Sequence, residues 1–149
     1  MPNRTFTEML SYAIDREREA AGQYELFSRT AKKPPTKAMF DELAREERGH
    51  QTRLEAIDSE ALKSCSQKQI AFSPSSAGSE GKFDPDMDFV AALRLAIQKE
   101  EEAARLYDSL RAEAGDDKLC SLLSALVEQE RGHRAKLQDE LDSVVLKDY

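Results

Sequence analysis

Apolar residues recur along this chain at alternating steps of three and four, the period of a helix that buries one face. The first such stripe is Phe6, Leu10, Ala13, Glu17, Ala20, Tyr24, Phe27 and Ala31, and Thr5-Phe6-Thr7-Glu8 offers a capping box to begin it. Pro34-Pro35 is expected to end this helix, with Thr36 at the turn into the next. A second stripe runs Phe40, Leu43, Glu47, His50, Leu54, Ile57 and Ala61. A third, Phe89, Leu93, Ala96, Glu100, Ala103, Tyr107, Leu110 and Ala114, is expected to start from a cap at Asp84-Pro85 or Asp86 and to end at Gly115. Asp116 is placed to cap a fourth, carrying Leu119, Leu123, Leu126, Glu130, His133, Leu137 and Val144.

Between Gln67 and Pro85 the pattern lapses into Ser, Gly and Pro. A structureless stretch of this length needs a reason in a compact domain, and a crossover running the length of a bundle supplies one. It would make the second and third helices parallel, with Ile70, Phe72 and Phe83 pinning the connection to the helices. The two halves also repeat. A constant offset of 83 carries Phe6 to Phe89, Leu10 to Leu93, Glu17 to Glu100, Tyr24 to Tyr107, Leu43 to Leu126 and Leu54 to Leu137, without a gap. The expected fold is all-α: a four-helix bundle of two repeated helical hairpins, about 5–66 and 86–146, joined by a long crossover, about 67–85, in a single domain over 1–149.

The same offset lays Glu47-Arg48-Gly49-His50 onto Glu130-Arg131-Gly132-His133, and these are the chain's two histidines. Glu and His three residues apart lie one helical turn apart on one face. A Glu-x-x-His from each of two helices, with one glutamate from each of two others, makes a paired-metal site, and Glu17 and Glu100 supply the second pair. All six polar residues interrupt apolar seams, so packing the bundle buries them. An unpaired buried carboxylate costs several kcal/mol, and four together repel one another. Two divalent cations would neutralise the four charges. The mixed oxygen and nitrogen donors suit iron or manganese better than a structural zinc, though zinc stays open.

Around these candidates, Glu19, Glu46, Glu101 and Glu102 fall off the seams and read as surface or supporting groups. Arg48 and Arg131 read as solvated or salt-bridged, and Gly49 and Gly132 as room for close helix packing. Tyr24 and Tyr107 lie two turns beyond Glu17 and Glu100, where a hydroxyl could bond and orient a ligating carboxylate, or supply a proton or electron. Cys65 and Cys120 are expected at one end of the bundle as inert thiols.

The 149 residues carry a net charge of −7, which argues against nucleic acid or an anionic membrane as partner. There is neither a run of about 20 apolar residues nor a charged-then-apolar leader, so a soluble cytoplasmic protein is expected. Two cysteines make neither a disulfide framework nor a four-thiolate iron or zinc site.

The pattern Ala-Ile-x-x-Glu-x-x-Ala-x-x-x-Tyr followed by Glu-x-x-His, present twice between about Phe6 and Leu137, resembles the rubrerythrin family of the ferritin-like superfamily. The resemblance implies a ferritin-like bundle with a carboxylate-bridged centre of two iron ions. On the matching positions, Glu47 and Glu130 would bridge, Glu17 and Glu100 would be terminal with His50 and His133, and Tyr24 and Tyr107 would be the supporting tyrosines. Two features depart from the pattern. The extra glutamate that peroxide-reducing rubrerythrins carry one turn after the third-helix ligand is Ala103 here, with Ala20 as its symmetric counterpart, so the six-ligand set is similar to that of bacterioferritin. The cysteine quartet of a C-terminal rubredoxin domain is also not found among the two cysteines, so no such domain is expected in this sequence. The implied activity is that of an oxidoreductase reducing hydrogen peroxide or dioxygen with electrons from an external donor, such as a rubredoxin-like protein. Ferroxidase-like iron handling and a non-redox metal-binding module are the alternatives, and the hairpin repeat would allow a domain-swapped homodimer.

Overall fold

The computed structural model describes residues 5–65, 70, 83–84 and 86–147, which form five helices. Helix α1 spans Phe6–Thr30, α2 Pro34–Glu55, α3 Ser59–Lys63, α4 Phe89–Ala112 and α5 Asp117–Lys147. The capping box that opens α1 forms as expected: Glu8 N donates to Thr5 Oγ1 at 3.2 Å, and Thr5 N donates to Glu8 Oε1 at 3.0 Å. Asp116 likewise caps α5, accepting from Leu119 N at 3.1 Å.

Four boundaries differ from the sequence expectation. Helix α1 ends at Thr30, and Pro34 opens α2, where its missing N–H costs nothing. Thr36 therefore lies inside the first turn of α2, donating to Glu140 Oε1 at 3.1 Å. The second stripe does not run through to Ala61 in one helix. It breaks after Glu55 because Asp58 accepts from Ala61 N at 2.8 Å and starts the short α3, while Ile57 and Ala61 still pack against the core. Neither Asp84 nor Asp86 caps α4: Asp84 closes a turn, accepting from Asp86 N at 2.9 Å, and Asp88 takes the cap position without a side-chain bond. Helix α4 ends at Ala112, before Gly115, whose role is steric: a Cβ there would lie 1.9 Å from the Ser64 carbonyl oxygen. Gly49 and Gly132, in contrast, face open space within 4 Å, so they do not serve close helix packing.

Two apolar clusters fix the topology. The first joins Phe6, Met9 and Leu10 of α1, Leu54 of α2, Leu106 and Leu110 of α4, and Leu119 and Leu123 of α5. The second joins Tyr24 and Phe27, Phe40 and Leu43, Leu93 and Ala96, and Leu137 and Leu141 from the same four helices. Helices α1 and α5 therefore run from the first cluster to the second, and α2 and α4 run back. The parallel α2 and α4 require the chain to travel the length of the bundle between them. Most of 67–85, Phe72 included, lies outside the described residues, but its described ends agree: Ile70 is buried in the first cluster, and Phe83 meets Phe27 edge-on at 4.6 Å in the second. Cys65 is buried in the first cluster beside residues of the α5 start, while Cys120 is half-buried, and both thiols are free. None of the described helices is long and apolar enough to cross a membrane.

Candidate metal centre

Each long helix passes its interrupted seam between the two apolar clusters, and the six polar residues converge there. Glu17 comes from α1, Glu47 and His50 from α2, Glu100 from α4, and Glu130 and His133 from α5, each between 1% and 2% exposed. Donor atoms of Glu17, Glu47, His50 and Glu130 all lie within 4.8 Å of one another, and so do those of Glu47, Glu100, Glu130 and His133. The two sets share Glu47 and Glu130, and each keeps one private glutamate and one private histidine. The imidazoles face each other nearly parallel, with centroids 5.7 Å apart. Both present Nδ1 inward: His50 Nδ1 is 2.8 Å from Glu130 Oε1 and 3.2 Å from Glu47 Oε1, and His133 Nδ1 is 3.2 Å from the same Glu47 oxygen.

Whether these residues fit a cation can be judged from what they leave unsatisfied. Buried polar atoms normally find hydrogen-bond partners. Here Glu17 Oε2, Glu47 Oε1, His50 Nδ1, Glu100 Oε2, Glu130 Oε1 and His133 Nδ1 make no well-directed hydrogen bond, even where His50 Nδ1 and Glu130 Oε1 approach to 2.8 Å. That is one orphaned atom from each of the six residues, all aimed into the same space. Oxygen and imidazole donors in two overlapping sets of four are the chemistry of a carboxylate-rich metal site.

The remaining atoms of these side chains are held. Tyr24 on α1 donates to Glu100 Oε1 on α4 at 2.6 Å, and Tyr107 on α4 donates to Glu17 Oε1 on α1. Each tyrosine thus fixes one oxygen of the buried glutamate in the opposite repeat. Burial first, then the carboxylate each one bonds, pushes both phenols well above their ordinary pKa, so both stay protonated as donors. On the outer side of the imidazoles, His50 Nε2 lies 2.5 Å from Gln129 Oε1, and His133 Nε2 bonds Glu46 Oε2.

Without a cation the cluster divides its protons unequally. Burial, and after it the charge of Glu47, holds the Glu17 carboxyl up at about 7. Burial and the charges of Glu100, Glu47 and Glu17 hold Glu130 well above the carboxylate range. Burial works on Glu47 too, but the two imidazoles at 3.2 Å outweigh it and pull its pKa down to about 2. Burial lowers both histidines, but Glu17 and Glu47 outweigh it and raise His50 to about 9, and Glu100 and Glu47 raise His133 to about 11. Symmetric partners thus take opposite roles, Glu47 carrying charge and Glu130 a proton.

One neighbouring pair escaped the sequence reading. Glu102 is fully buried, accepting from Arg16 Nη1 at 2.5 Å and from Tyr12 OH at 3.4 Å, whereas its position off the seam suggested a surface or supporting group. The repeat carried the missing signal: the same offset maps Arg16 onto Lys99 and Glu19 onto Glu102, so each hairpin holds a cation and an acid at one register. Lys99 and Glu19 form the second pair at 3.8 Å, with Glu19 half-exposed. Arg48 and Arg131 form surface ion pairs with Glu25 at 2.8 Å and Glu128 at 3.2 Å. Glu101 pairs with Arg134 at 2.5 Å on the surface. Between α1 and α4 a cavity of about 30 Å³, walled by Ala20, Ala96 and Ala103, reaches the buried Glu17, Glu47, Glu100 and Glu130.

Four antiparallel and parallel helices around a buried carboxylate and histidine cluster define a ferritin-like four-helix bundle. A putative ferritin-like diiron-carboxylate protein from Thermotoga maritima superposes with a TM-score of 0.77 at 21% identity, over 95% of this chain and 97% of that one. A hypothetical protein from Pyrococcus furiosus also superposes with a TM-score of 0.77, at 24% identity, over 95% and 90% of the respective chains. The chain belongs to the Rubrerythrin family, whose model matches residues 8–141. No curated protein matches the sequence significantly.

Proposed function

We propose that this chain is a non-haem di-iron oxidoreductase that reduces hydrogen peroxide or dioxygen with electrons from an external donor. The observation that carries the reading is the set of six orphaned donor atoms arranged as two overlapping groups of four. Glu17 and His50 would hold one ion, Glu100 and His133 the other, with Glu47 and Glu130 shared between them. Two ferrous ions would supply one electron each to the oxidant, together with an open coordination position. The protein does the rest. Tyr24 and Tyr107 hold one oxygen of each terminal carboxylate, leaving the other free to ligate, and their phenolic protons lie at the rim of the site. A cavity of about 30 Å³ has room for about one water-sized molecule, which favours small oxidants over bulky organic substrates. The two cysteines of this sequence are too few for a four-thiolate iron site, so the reading takes its electrons from a donor outside it.

Protein loaded anaerobically with Fe(II), mixed with peroxide or oxygen in a stopped-flow spectrometer, tests the reading. Fast oxidation followed by repeated turnover with an added reductant is the expected result; loading by zinc alone, with no Fe(II) oxidation, would overturn it. A second reading, ferroxidase-like iron handling, draws support from Ala20 and Ala103, which line the cavity where a further carboxylate could otherwise reach the ions. Continued consumption of added Fe(II) without any reductant would select that reading.

A further inference from the structure

The two half-sites match in all six ligands and both tyrosines, yet they differ behind the histidines. The repeat offset that carries His50 onto His133 also carries Glu46 onto Gln129. The contacts cross between α2 and α5: His133 Nε2 bonds the Glu46 carboxylate, and His50 Nε2 bonds the Gln129 amide oxygen at 2.5 Å. Because Nδ1 of each ring faces the ligand cluster, Nε2 carries the hydrogen and both outer groups accept it. Glu46 is 40% exposed, so solvent reaches one side of it, while His133 is 2% exposed.

A carboxylate behind a ligating imidazole raises the basicity of the ring and fixes its orientation more firmly than a neutral amide does. It also brings one more negative charge close to one ion and not to the other. We infer that the Glu46–His133 and Gln129–His50 contacts make the two metal positions unequal, so that the position held by Glu100 and His133 fills first and holds its ion more tightly. The inference rests on the paired-metal reading. Its consequence is an ordered assembly: Glu100 and His133, with Glu47 and Glu130, would hold the first ion, and Glu17 and His50 would complete the set for the second. A redox-inert ion is enough to reveal this, because the asymmetry is built into the protein.

Titration of the metal-free protein with Mn(II), followed by calorimetry and electron paramagnetic resonance, tests the inference. The unaltered protein should bind in two steps separated by roughly 10–100-fold in affinity, the size of effect typical of such outer partners. The first equivalent should give the signal of isolated Mn(II), and the second should convert it to that of a coupled pair. Glu46→Gln should weaken the first step and bring the two affinities together, while Gln129→Glu should strengthen the second step. These near-isosteric changes lie on half-exposed helix positions, and circular dichroism would verify the fold of each variant. Two equal affinities in the unaltered protein, or a ratio that neither substitution moves, would overturn the inference while leaving the paired-metal reading intact. Failure of the unaltered protein to bind Mn(II) at all would overturn both.

Discussion

Glu17 and Glu130 hold their carboxyl groups above the ordinary range, and His50 and His133 are raised to about 9 and 11, so the metal-free cluster keeps protons that a cation must displace. The sign follows from each shift. A carboxyl raised to about 7 loses its share of stability as pH climbs from about 4.5 through 7, and a histidine raised to about 9 or 11 loses its share as pH climbs from about 6.5 through those values. Glu47, pulled down to about 2, contributes stability above about 4.5 that is lost only in acid. The metal-free protein should therefore become less stable between pH 5 and pH 9. Metal binding should strengthen over the same range, because its ligands then shed their protons more easily. Thermal unfolding with and without a bound divalent cation should show a gap in Tm that widens as pH rises; a gap that narrows would contradict these protonation states.

The buried Arg16 and Glu102 pair makes a second prediction at this scale. Arg16→Leu strands a fully buried carboxylate and should cost about 3–5 kcal/mol, measured by urea unfolding, whereas the Arg16→Leu, Glu102→Leu double variant should recover most of the loss. Equal losses in the single and double variants would mean that the packing around the pair, rather than its charge, supports the helices. The burial of Glu102 was hidden in the sequence by its place in the acidic run Glu100-Glu101-Glu102. Neighbours along its own helix do not reveal the guanidinium that reaches it from α1.

At the scale of elements, the four long helices were legible because their seams keep the 3.6 period, and the buried Glu and His cluster because its members break those seams at matching places in both repeats. What was not legible was local competition. The stripe continues through Ile57 and Ala61, so it cannot show that the Asp58 side chain stops one helix and starts another. The glycines divide in the same way. Gly49 and Gly132 look alike in sequence to residues needed for tight packing, yet open space surrounds them, and Gly49→Ala or Gly132→Ala should stabilise α2 or α5 by about 0.5–1 kcal/mol. Gly115→Ala, by contrast, drives a methyl group into the Ser64 carbonyl and should destabilise by about 1–3 kcal/mol. Chemical unfolding of the three variants would check both signs at once.

In the whole molecule, the buried Glu and His cluster lies between two apolar clusters that run through all four long helices, so the same packing that holds the bundle together sets the geometry of the site. The crossover makes this arrangement possible by returning the chain to the end where α1 finishes, which places the second hairpin opposite the first. A small cavity between α1 and α4 reaches this cluster. Ala103→Leu should fill that cavity and slow the oxidation of bound Fe(II) by peroxide by at least about tenfold, ~1.4 kcal/mol in the barrier, while the amount of bound metal stays the same. An unchanged rate would mean that oxidant reaches the site by another route.

The central claim is that six side chains hold two cations around a shared pair of glutamates. Anomalous diffraction at the iron edge, from crystals loaded anaerobically with Fe(II), tests it most directly. The account predicts two peaks within the bundle, one beside Glu17 and His50 and one beside Glu100 and His133, with Glu47 and Glu130 lying between them. A single peak, or density only on the acidic surface, would contradict it.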